Sequence, residues 1–186
     1  MRIISGNLKG KKIFIPKNKR TRPLRDLVKE SIFNLILHSK KIDCSLDNSN
    51  ILDLFSGTGS FGLECISRKS KMVTFFENYN EALNILKKNI KILNVENKCK
   101  IFEKNCFEFF KTKNFFKNEF DIIFMDPPYK EKNIAALINS ILEKKILKDN
   151  GVLILHRHKN DNFDINSRLK ILDERVYGIS KIIIGN

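Results

Sequence analysis

The chain has 186 residues, which fits one domain with a sizeable hydrophobic core. Its 35 Lys and Arg residues outnumber its 21 Asp and Glu residues, so the formal net charge is +14 at pH 7. This excess excludes an acidic protein and falls in the range of proteins that bind nucleic acids.

The apolar residues and the cysteines are typical of a cytoplasmic protein. No run of about 18 apolar residues occurs, and the N-terminus lacks the apolar core of a signal peptide, so we expect a soluble protein without a membrane partner. The four cysteines form no C-x-x-C pair and have no histidine at zinc-ligand spacing. We interpret them as reduced, mostly buried thiols and predict no metal site. These cysteines are Cys44, Cys65, Cys99 and Cys106.

Residues 1–22 form a basic N-terminal arm. The first 25 residues contain four of the eight arginines of the chain and no acidic residue, so the basic excess is local. Two short β-like runs, 2–5 and 12–15, are separated by Gly6 and Gly10, which predicts a small β-hairpin; the alternative is a solvated, disordered tail. Lys and Arg on such a hairpin would bind phosphates without reading sequence. The candidate nucleic-acid-binding residues are Arg2, Lys9, Lys11, Lys12, Arg20, Arg22 and Arg25.

The remainder, residues 23–186, alternates helical and strand patterns and predicts one α/β domain. Helical spacing of apolar residues predicts helices at 25–38, 60–67, 80–93, 107–116 and 132–144. Apolar runs predict strands at 51–53, 72–76, 100–103, 120–125, 152–156, 168–175 and 180–184. This alternation predicts a Rossmann-like, mostly parallel seven-stranded sheet, and Tyr177-Gly178 predicts an antiparallel hairpin at its edge.

A glycine-rich loop follows the first predicted strand. Gly57, Gly59 and Gly62 form G-x-G-x-x-G between a strand and a helix, where glycine permits a tight turn and close approach of a ligand. A plain structural turn is the alternative. Glu77 ends the next strand, where an acidic residue can accept hydrogen bonds from both ribose hydroxyls. Asp53 favours S-adenosylmethionine over a nicotinamide cofactor, because a carboxylate suits a cationic sulfonium better than a pyrophosphate.

The region after the third predicted strand extends this cofactor site. Asn105 is placed to bond the adenine amino group, unless it is an ordinary loop asparagine. The complete set of candidate cofactor-binding residues is Asp53, Phe55, Gly57, Gly59, Gly62, Glu77, Asn105 and Cys106.

The sequence Asp126-Pro127-Pro128-Tyr129 follows the fourth predicted strand. Two prolines remove two backbone donors, which leaves the Asp126 carboxylate and the Pro127 carbonyl as an acceptor-rich edge. This edge suits an exocyclic NH₂ group whose lone pair is aimed at an electrophilic methyl group, and Tyr129 offers a face on which an extruded base stacks. Ligands of open parallel sheets bind beyond the carboxyl ends of the strands, so we expect this motif and the glycine loop to share one crevice. The four residues are the candidate catalytic residues.

The order of these motifs resembles the amino-methyltransferases that modify exocyclic nitrogens of nucleobases. The match to one family is closer: residues 1–6, Arg22-Pro23 with Asp26 and Lys29-Glu30, and residues 32–34 are similar to the bacterial 16S rRNA guanine-N2 methyltransferase family. The similarity covers almost the whole chain. It implies a class I S-adenosylmethionine-dependent fold and methyl transfer to the 2-amino group of one guanine in 16S rRNA.

The same resemblance assigns the two motifs. It implies that residues 53–62 and Glu77 bind the cofactor and that residues 126–129 are the active site. The family usually carries two small hydroxyl or polar residues after Arg-Pro, where this chain has Leu24-Arg25. Contacts from those two positions are therefore not carried over from the family.

Three other functions fit parts of the sequence. An adenine-N6 methyltransferase acting on DNA or another RNA uses the same DPPY motif. A nicotinamide-dependent oxidoreductase would explain the glycines and Glu77 but gives no role to DPPY. A non-catalytic RNA-binding or assembly factor would explain the basic arm. We expect a monomer that acts on 16S rRNA or on a partly assembled small ribosomal subunit. His38, His156 and His158 are interpreted as surface or strand-end residues, the last two near the substrate mouth.

Overall fold

The computed structural model describes residues 1–16, 24–112, 116–161 and 168–186, and its helices and strands confirm the alternating pattern. The helices are α1 (Asp26–His38), α2 (Ser60–Ser67), α3 (Asn80–Leu93), α4 (Cys106–Thr112) and α5 (Ile134–Glu143), with a short 3-10 helix at Glu96–Lys98. The strands are β1 (Asn50–Leu54), β2 (Met72–Phe76), β3 (Cys99–Phe102), β4 (Phe120–Met125), β5 (Leu147–His158), β6 (Ile171–Tyr177) and β7 (Ser180–Gly185).

These strands form one seven-stranded sheet in the order β3-β2-β1-β4-β5-β7-β6. The pairs β1–β2, β1–β4, β2–β3 and β4–β5 are parallel, whereas β7 is antiparallel to both β5 and β6. From β1 the strand order runs through β2 to β3 on one side, and β4 then begins the other side of the sheet. This reversal of strand order creates a crevice beyond the carboxyl ends of β1 and β4. The predicted sheet with its antiparallel C-terminal hairpin is confirmed.

The sheet separates two apolar cores, because successive side chains of a strand point to opposite faces. On one face, Ile51 and Ile122 pack in a core with residues of α1, α2 and α3; on the other, Leu52 and Ile123 pack with residues of α4 and α5. Almost continuously apolar strands are expected when both faces are covered. Within the described residues, no helix is long and apolar enough to cross a membrane.

Strand β5 is longer than the predicted strand at 152–156. It pairs with β4 irregularly, since Phe120 lies opposite Leu147 and Ile122 lies opposite Val152. The bulge takes polar residues into the strand, so its first part carries no apolar alternation that the sequence could reveal. At its other end β5 continues through Arg157 and His158 beyond the crevice.

Residues 1–16 pack against α2 and α3. One antiparallel bridge joins Arg2 to Lys12, so the expected hairpin exists here as a single bridge rather than as two strands. Ile3 and Ile13 are buried, which excludes a solvated tail for this segment. The rest of the predicted arm, residues 17–22, lies outside the described residues, and the division at residue 22 stays a prediction.

A buried carboxylate on α2 holds the backbone of this N-terminal segment (residues 1–16). Glu64 accepts hydrogen bonds from the amides of Ile4 at 2.8 Å and Ser5 at 2.9 Å. The same carboxylate lies 3.6 Å from Lys29 Nζ and accepts a hydrogen bond from Arg68 Nε at 3.0 Å. The N-terminal segment is therefore held both by hydrogen bonds to the Glu64 carboxylate and by the burial of its two isoleucines.

Asn89 on α3 makes a second connection to the N-terminal segment. Its Oδ1 accepts a hydrogen bond from the Phe14 amide at 2.7 Å, and its Nδ2 donates to the Phe14 carbonyl at 3.0 Å. Nδ2 also donates to the carbonyl of Thr58 at 3.0 Å. Because Thr58 belongs to the glycine-rich loop, one amide side chain joins the N-terminal segment to that loop.

Candidate active site

A cavity of about 850 Å³ opens at the carboxyl ends of β1, β2 and β4 and brings the glycine loop and the DPPY motif together. This volume is typical of small-molecule and cofactor sites. The predicted residues that line it are Arg25, Asp53, Phe55, Gly57, Glu77, Asn105, Cys106, Asp126, Pro127, Pro128 and Tyr129. The predicted residues that do not line it are Gly59, Gly62, Arg2, Lys9, Lys11 and Lys12. Arg20 and Arg22 lie outside the described residues.

The glycines of the loop have different tasks. Gly57 lines the cavity with φ +56°, and a Cβ there would meet nothing within 4 Å, so the backbone is open to a ligand. Gly62 lies inside α2, where a Cβ would come within 2.3 Å of the Phe75 ring. Gly59 has φ +83°, and a Cβ there would press on Leu86 at 2.5 Å. Neither Gly59 nor Gly62 lines the cavity, and both positions serve the path and packing of the chain. Their contact with a cofactor stays a prediction.

Asp53 is the carboxylate nearest the start of the loop. It is 1% exposed, and its Oδ2 accepts a hydrogen bond from the Gly62 amide at 3.0 Å. Burial raises the pKa of Asp53 well above its usual range; the Gly62 amide opposes this, and the carboxylates of Asp126 and Glu77 add to it. A cationic ligand in the cavity would relieve this crowding of negative charge.

Glu77, at the end of β2, ties the loop to the next strand. Its carboxylate accepts hydrogen bonds from the amides of Gly57 at 2.7 Å, Asn78 at 2.9 Å and Tyr79 at 2.8 Å. Burial raises the pKa of Glu77, and the three amides oppose that effect. A carboxylate has about four lone-pair positions, so one position is left for a ligand hydroxyl while all three amide bonds persist.

Asn105 and Cys106 lie at the start of α4. Asn105 Oδ1 accepts hydrogen bonds from the amides of Phe107 at 2.8 Å and Glu108 at 3.4 Å, which caps the helix. The oxygen expected to accept from an adenine amino group is therefore already used. Burial raises the pKa of the Cys106 thiol to about 12, so this thiol stays protonated and serves as a wall of the cavity rather than as a nucleophile.

Two residues of β5 that the sequence did not mark as functional support the DPPY loop. Met125 pairs with Leu155, so Asp126 and His156 come next to each other where the parallel pairing of β4 and β5 ends. His156 Nδ1 lies 2.7 Å from Asp126 Oδ1. Both residues follow apolar runs that predict strands, but the sequence does not show that these two strands are neighbours.

Arg157, the next residue, holds the backbone of the loop. Its buried guanidinium donates to the carbonyls of Pro128 at 3.1 Å, Tyr129 at 3.1 Å and Glu131 at 3.2 Å. Among the described residues no group donates to the carbonyl of Pro127, which also lines the cavity. The loop therefore presents the Pro127 carbonyl and the Asp126 carboxylate as its available acceptors.

Among the residues that the structure describes, three exposed side chains carry the positive charge at the cavity. Arg25 lies just before α1, Lys104 follows β3, and Lys130 follows the DPPY motif; all three line the cavity. The sequence indicated Arg25 but not the two lysines, which stand in a composition rich in lysine. Such residues can contact the phosphates that flank a base in the crevice.

Comparison with known proteins places the chain in a family. The family described as conserved hypothetical protein 95 matches residues 1–186. The chain belongs to this family. It is 34% identical over 175 residues to ribosomal RNA small subunit methyltransferase D of Buchnera aphidicola, covering 94% of this chain and 86% of the relative. It is 30% identical over 180 residues to the Haemophilus influenzae protein of the same name, covering 96% and 90%.

Solved structures that are similar to this chain have the same fold. A methylase structure from Haemophilus influenzae is 29% identical with a TM-score of 0.77, covering 99% of this chain and 96% of the other. A methyltransferase structure from Escherichia coli is 24% identical with a TM-score of 0.83, covering 100% and 96%. The predicted class I methyltransferase fold is confirmed, and the family resemblance drawn from the sequence is confirmed with it.

Proposed function

We propose that this chain transfers a methyl group from S-adenosylmethionine to the exocyclic N2 amine of a guanine in small-subunit rRNA. The observation that carries the proposal is the cavity in which the acceptor edge of Asp126 and Pro127 faces the same space as Asp53, Gly57 and Glu77. The names of the relatives, which are ribosomal RNA small subunit methyltransferases, support the substrate class.

The residues of the first half of the cavity suit a cationic nucleoside cofactor. Glu77 has a lone-pair position for a ribose hydroxyl, and Gly57 allows close approach of the ligand to the backbone. Asp53 supplies negative charge in a buried position. Bound S-adenosylmethionine would supply an electrophilic methyl group on a sulfonium, whose charge the carboxylates of this cavity balance.

The DPPY loop suits the amine. Asp126 and the Pro127 carbonyl each accept one N–H of the amino group, which turns the nitrogen lone pair toward the methyl carbon. The nitrogen–carbon bond forms as the carbon–sulfur bond breaks, and the amine then gives one proton to the Asp126 carboxylate or to solvent. Tyr129 stacks on the base, which has to be unstacked from the RNA to enter the crevice.

The test is a methyl-transfer assay with labelled S-adenosylmethionine and small-subunit rRNA, as naked RNA and as particles, from cells that lack this protein. We expect N2-methylguanosine at one position in digests of the product. N6-methyladenine in RNA or duplex DNA would identify the adenine alternative and overturn the guanine assignment. Loss of methylation in Asp126→Ala, with binding of S-adenosylhomocysteine retained, would separate an enzyme from an assembly factor that only binds RNA.

A further inference from the structure

The DPPY loop has a side-chain partner on β5 whose geometry is specific. His156 Nδ1 and Asp126 Oδ1 are 2.7 Å apart, a short distance for a bond between a ring nitrogen and a carboxylate. His156 is 6% exposed and lines the cavity beside Asp126. The bond occupies one carboxylate oxygen and leaves the other, Oδ2, for a ligand.

The surroundings of the second ring nitrogen of His156 determine which residue donates this hydrogen bond and which accepts it. Nε2 is buried, and among the described residues no group forms a hydrogen bond with it. A proton on Nε2 would therefore be a buried donor without an acceptor, and a doubly protonated ring would bury such a donor together with a charge. A proton on Nδ1 alone avoids both costs. His156 is then the donor and Asp126 the acceptor.

Tyr129 also packs against the His156 ring. The Tyr129 ring meets the His156 ring edge-on with centroids 6.3 Å apart, and the His158 ring with centroids 5.4 Å apart. The ring that bonds to Asp126 is thus packed against the residue expected to stack on the base. One histidine connects the acceptor of the amine with the platform for its ring.

We propose that His156 is a positioning residue for methyl transfer, which donates its Nδ1–H to Asp126 Oδ1 and thereby aims Oδ2 at the substrate amine. This role rests on the proposed function of the cavity. It acts in the transition state and in the orientation of the amine, and it does not act on the cofactor half of the cavity. Loss of the His156 side chain is therefore expected to lower kcat and to leave the affinity for the cofactor unchanged.

The experiment compares His156→Phe, which keeps an aromatic ring but removes Nδ1, with His156→Asn, whose amide N–H can replace Nδ1–H. We expect kcat for small-subunit RNA to fall roughly 10- to 100-fold in His156→Phe, since a hydrogen bond to a charged group is lost. The Kd for S-adenosylhomocysteine and the KM for S-adenosylmethionine stay within about twofold of the wild type, and His156→Asn recovers at least half of the loss on a logarithmic scale.

Three results would overturn the proposal: full activity in His156→Phe, failure of His156→Asn to recover activity, or loss of S-adenosylhomocysteine binding in both variants. If His156→Phe fails to fold, nitrogen-15 NMR of the wild-type imidazole decides, because the proposal requires a protonated Nδ1 and an unprotonated Nε2 at neutral pH. The opposite tautomer overturns it. Absence of methyl transfer by the wild-type protein would refute the proposed function, while the NMR result would still test the Nδ1–Asp126 bond.

Discussion

Lys29 Nζ lies 3.6 Å from Glu64 Oε2, and neither side chain reaches solvent. Burial lowers the pKa of Lys29, whereas Glu64 and Asp26 oppose that effect. The same Glu64 carboxylate accepts the amides of Ile4 and Ser5. This buried ion pair therefore sits at the junction between α1, α2 and the N-terminal segment, and its loss is expected to be felt in all three.

Glu64→Gln should lower the free energy of unfolding by about 3 kcal/mol, because it removes the buried partner of the Lys29 cation and leaves it only the half-exposed Asp26 at 3.8 Å. Urea denaturation measures the change, and hydrogen exchange at the Ile4 and Ser5 amides should become faster. Adding Lys29→Met should restore part of the loss. The matched control is Glu103→Gln, which breaks an exposed pair with Lys87 and should cost less than about 1 kcal/mol. Equal effects of the two Gln variants would contradict this account.

Binding of S-adenosylmethionine should tighten as pH rises. Burial raises the pKa of Asp53 and of Glu77, so both carboxylates become negative only above the ordinary carboxyl range. A sulfonium cofactor binds best to the ionised site, so its Kd should fall as the pH rises above the ordinary carboxyl range, as titration calorimetry can measure. The Kd of S-adenosylhomocysteine, which lacks the sulfonium charge, should depend less on pH. Asp53→Asn should weaken the pH dependence of Kd for both ligands.

The raised pKa of Asp53 has the opposite effect on the stability of the protein without ligand, which should decrease as pH rises. Below the ordinary carboxyl pKa, both the folded and the unfolded chain hold the Asp53 proton; above it, the unfolded chain releases the proton first. The free energy of unfolding should therefore fall as pH rises from the ordinary value to the raised pKa of Asp53. Asp53→Asn should reduce this fall, which thermal unfolding across the pH range can test. A wild-type protein that gains stability from Asp53 ionisation over this range would contradict the shift.

Two glycine substitutions should separate packing from ligand access. Gly62→Ala places a methyl group 2.3 Å from the Phe75 ring and should cost about 1–3 kcal/mol of folding free energy. Gly57→Ala meets no atom within 4 Å, but its φ of +56° strains an alanine by about 1–2 kcal/mol and its methyl group projects where no protein atom lies. We expect the larger loss of S-adenosylhomocysteine affinity in Gly57→Ala and the larger fall in melting temperature in Gly62→Ala. A reversed order would refute these assignments.

Arg157→Lys should impair catalysis while preserving cofactor binding. A lysine ammonium cannot reproduce the fork of donors that reaches the carbonyls of Pro128, Tyr129 and Glu131. Displacement of the loop should lower kcat roughly 10- to 100-fold. The control is Arg175→Lys on the edge strand β6, whose side chain is exposed and paired with Asp173, and this variant should retain full activity. Normal kcat in Arg157→Lys would show that the loop does not depend on the fork.

The lysines at the cavity should contribute to RNA affinity. Replacing Lys104 and Lys130 by alanine should raise the KM for RNA and make its dependence on salt less steep, because each phosphate contact releases counterions. Cofactor affinity should change little. Lys91→Ala, at the exposed C-terminal end of α3, is the control for the loss of one positive charge. An equal change in KM per charge removed would indicate only a general electrostatic effect.

The sequence predicted the location of the site because its evidence is local. Each motif follows directly on an apolar strand, and the parallel arrangement of β1 and β4 brings the ends of those strands together. The acidic end of β2 could be predicted for the same reason. Neither step requires knowledge of side-chain contacts.

The supporting residues could not be predicted in the same way, because their partners are distant in the chain. His156 and Arg157 act on a loop about 30 residues away, and the pairing of β5 with β4 has to be known before either contact can be inferred. Gly62 shows another limit. The absence of a Cβ allows either a ligand or an aromatic ring to approach the backbone closely. Only the position of Phe75 shows that a ring lies there.

Asn89 has a consequence for how this protein can diverge or be rebuilt. Its single amide bonds both to Phe14 of the N-terminal segment and to Thr58 of the glycine-rich loop. The amide contacts only the backbone of residue 14, so a chimaera carrying a relative's first residues keeps this connection if its backbone follows the same path there and Asn89 is retained.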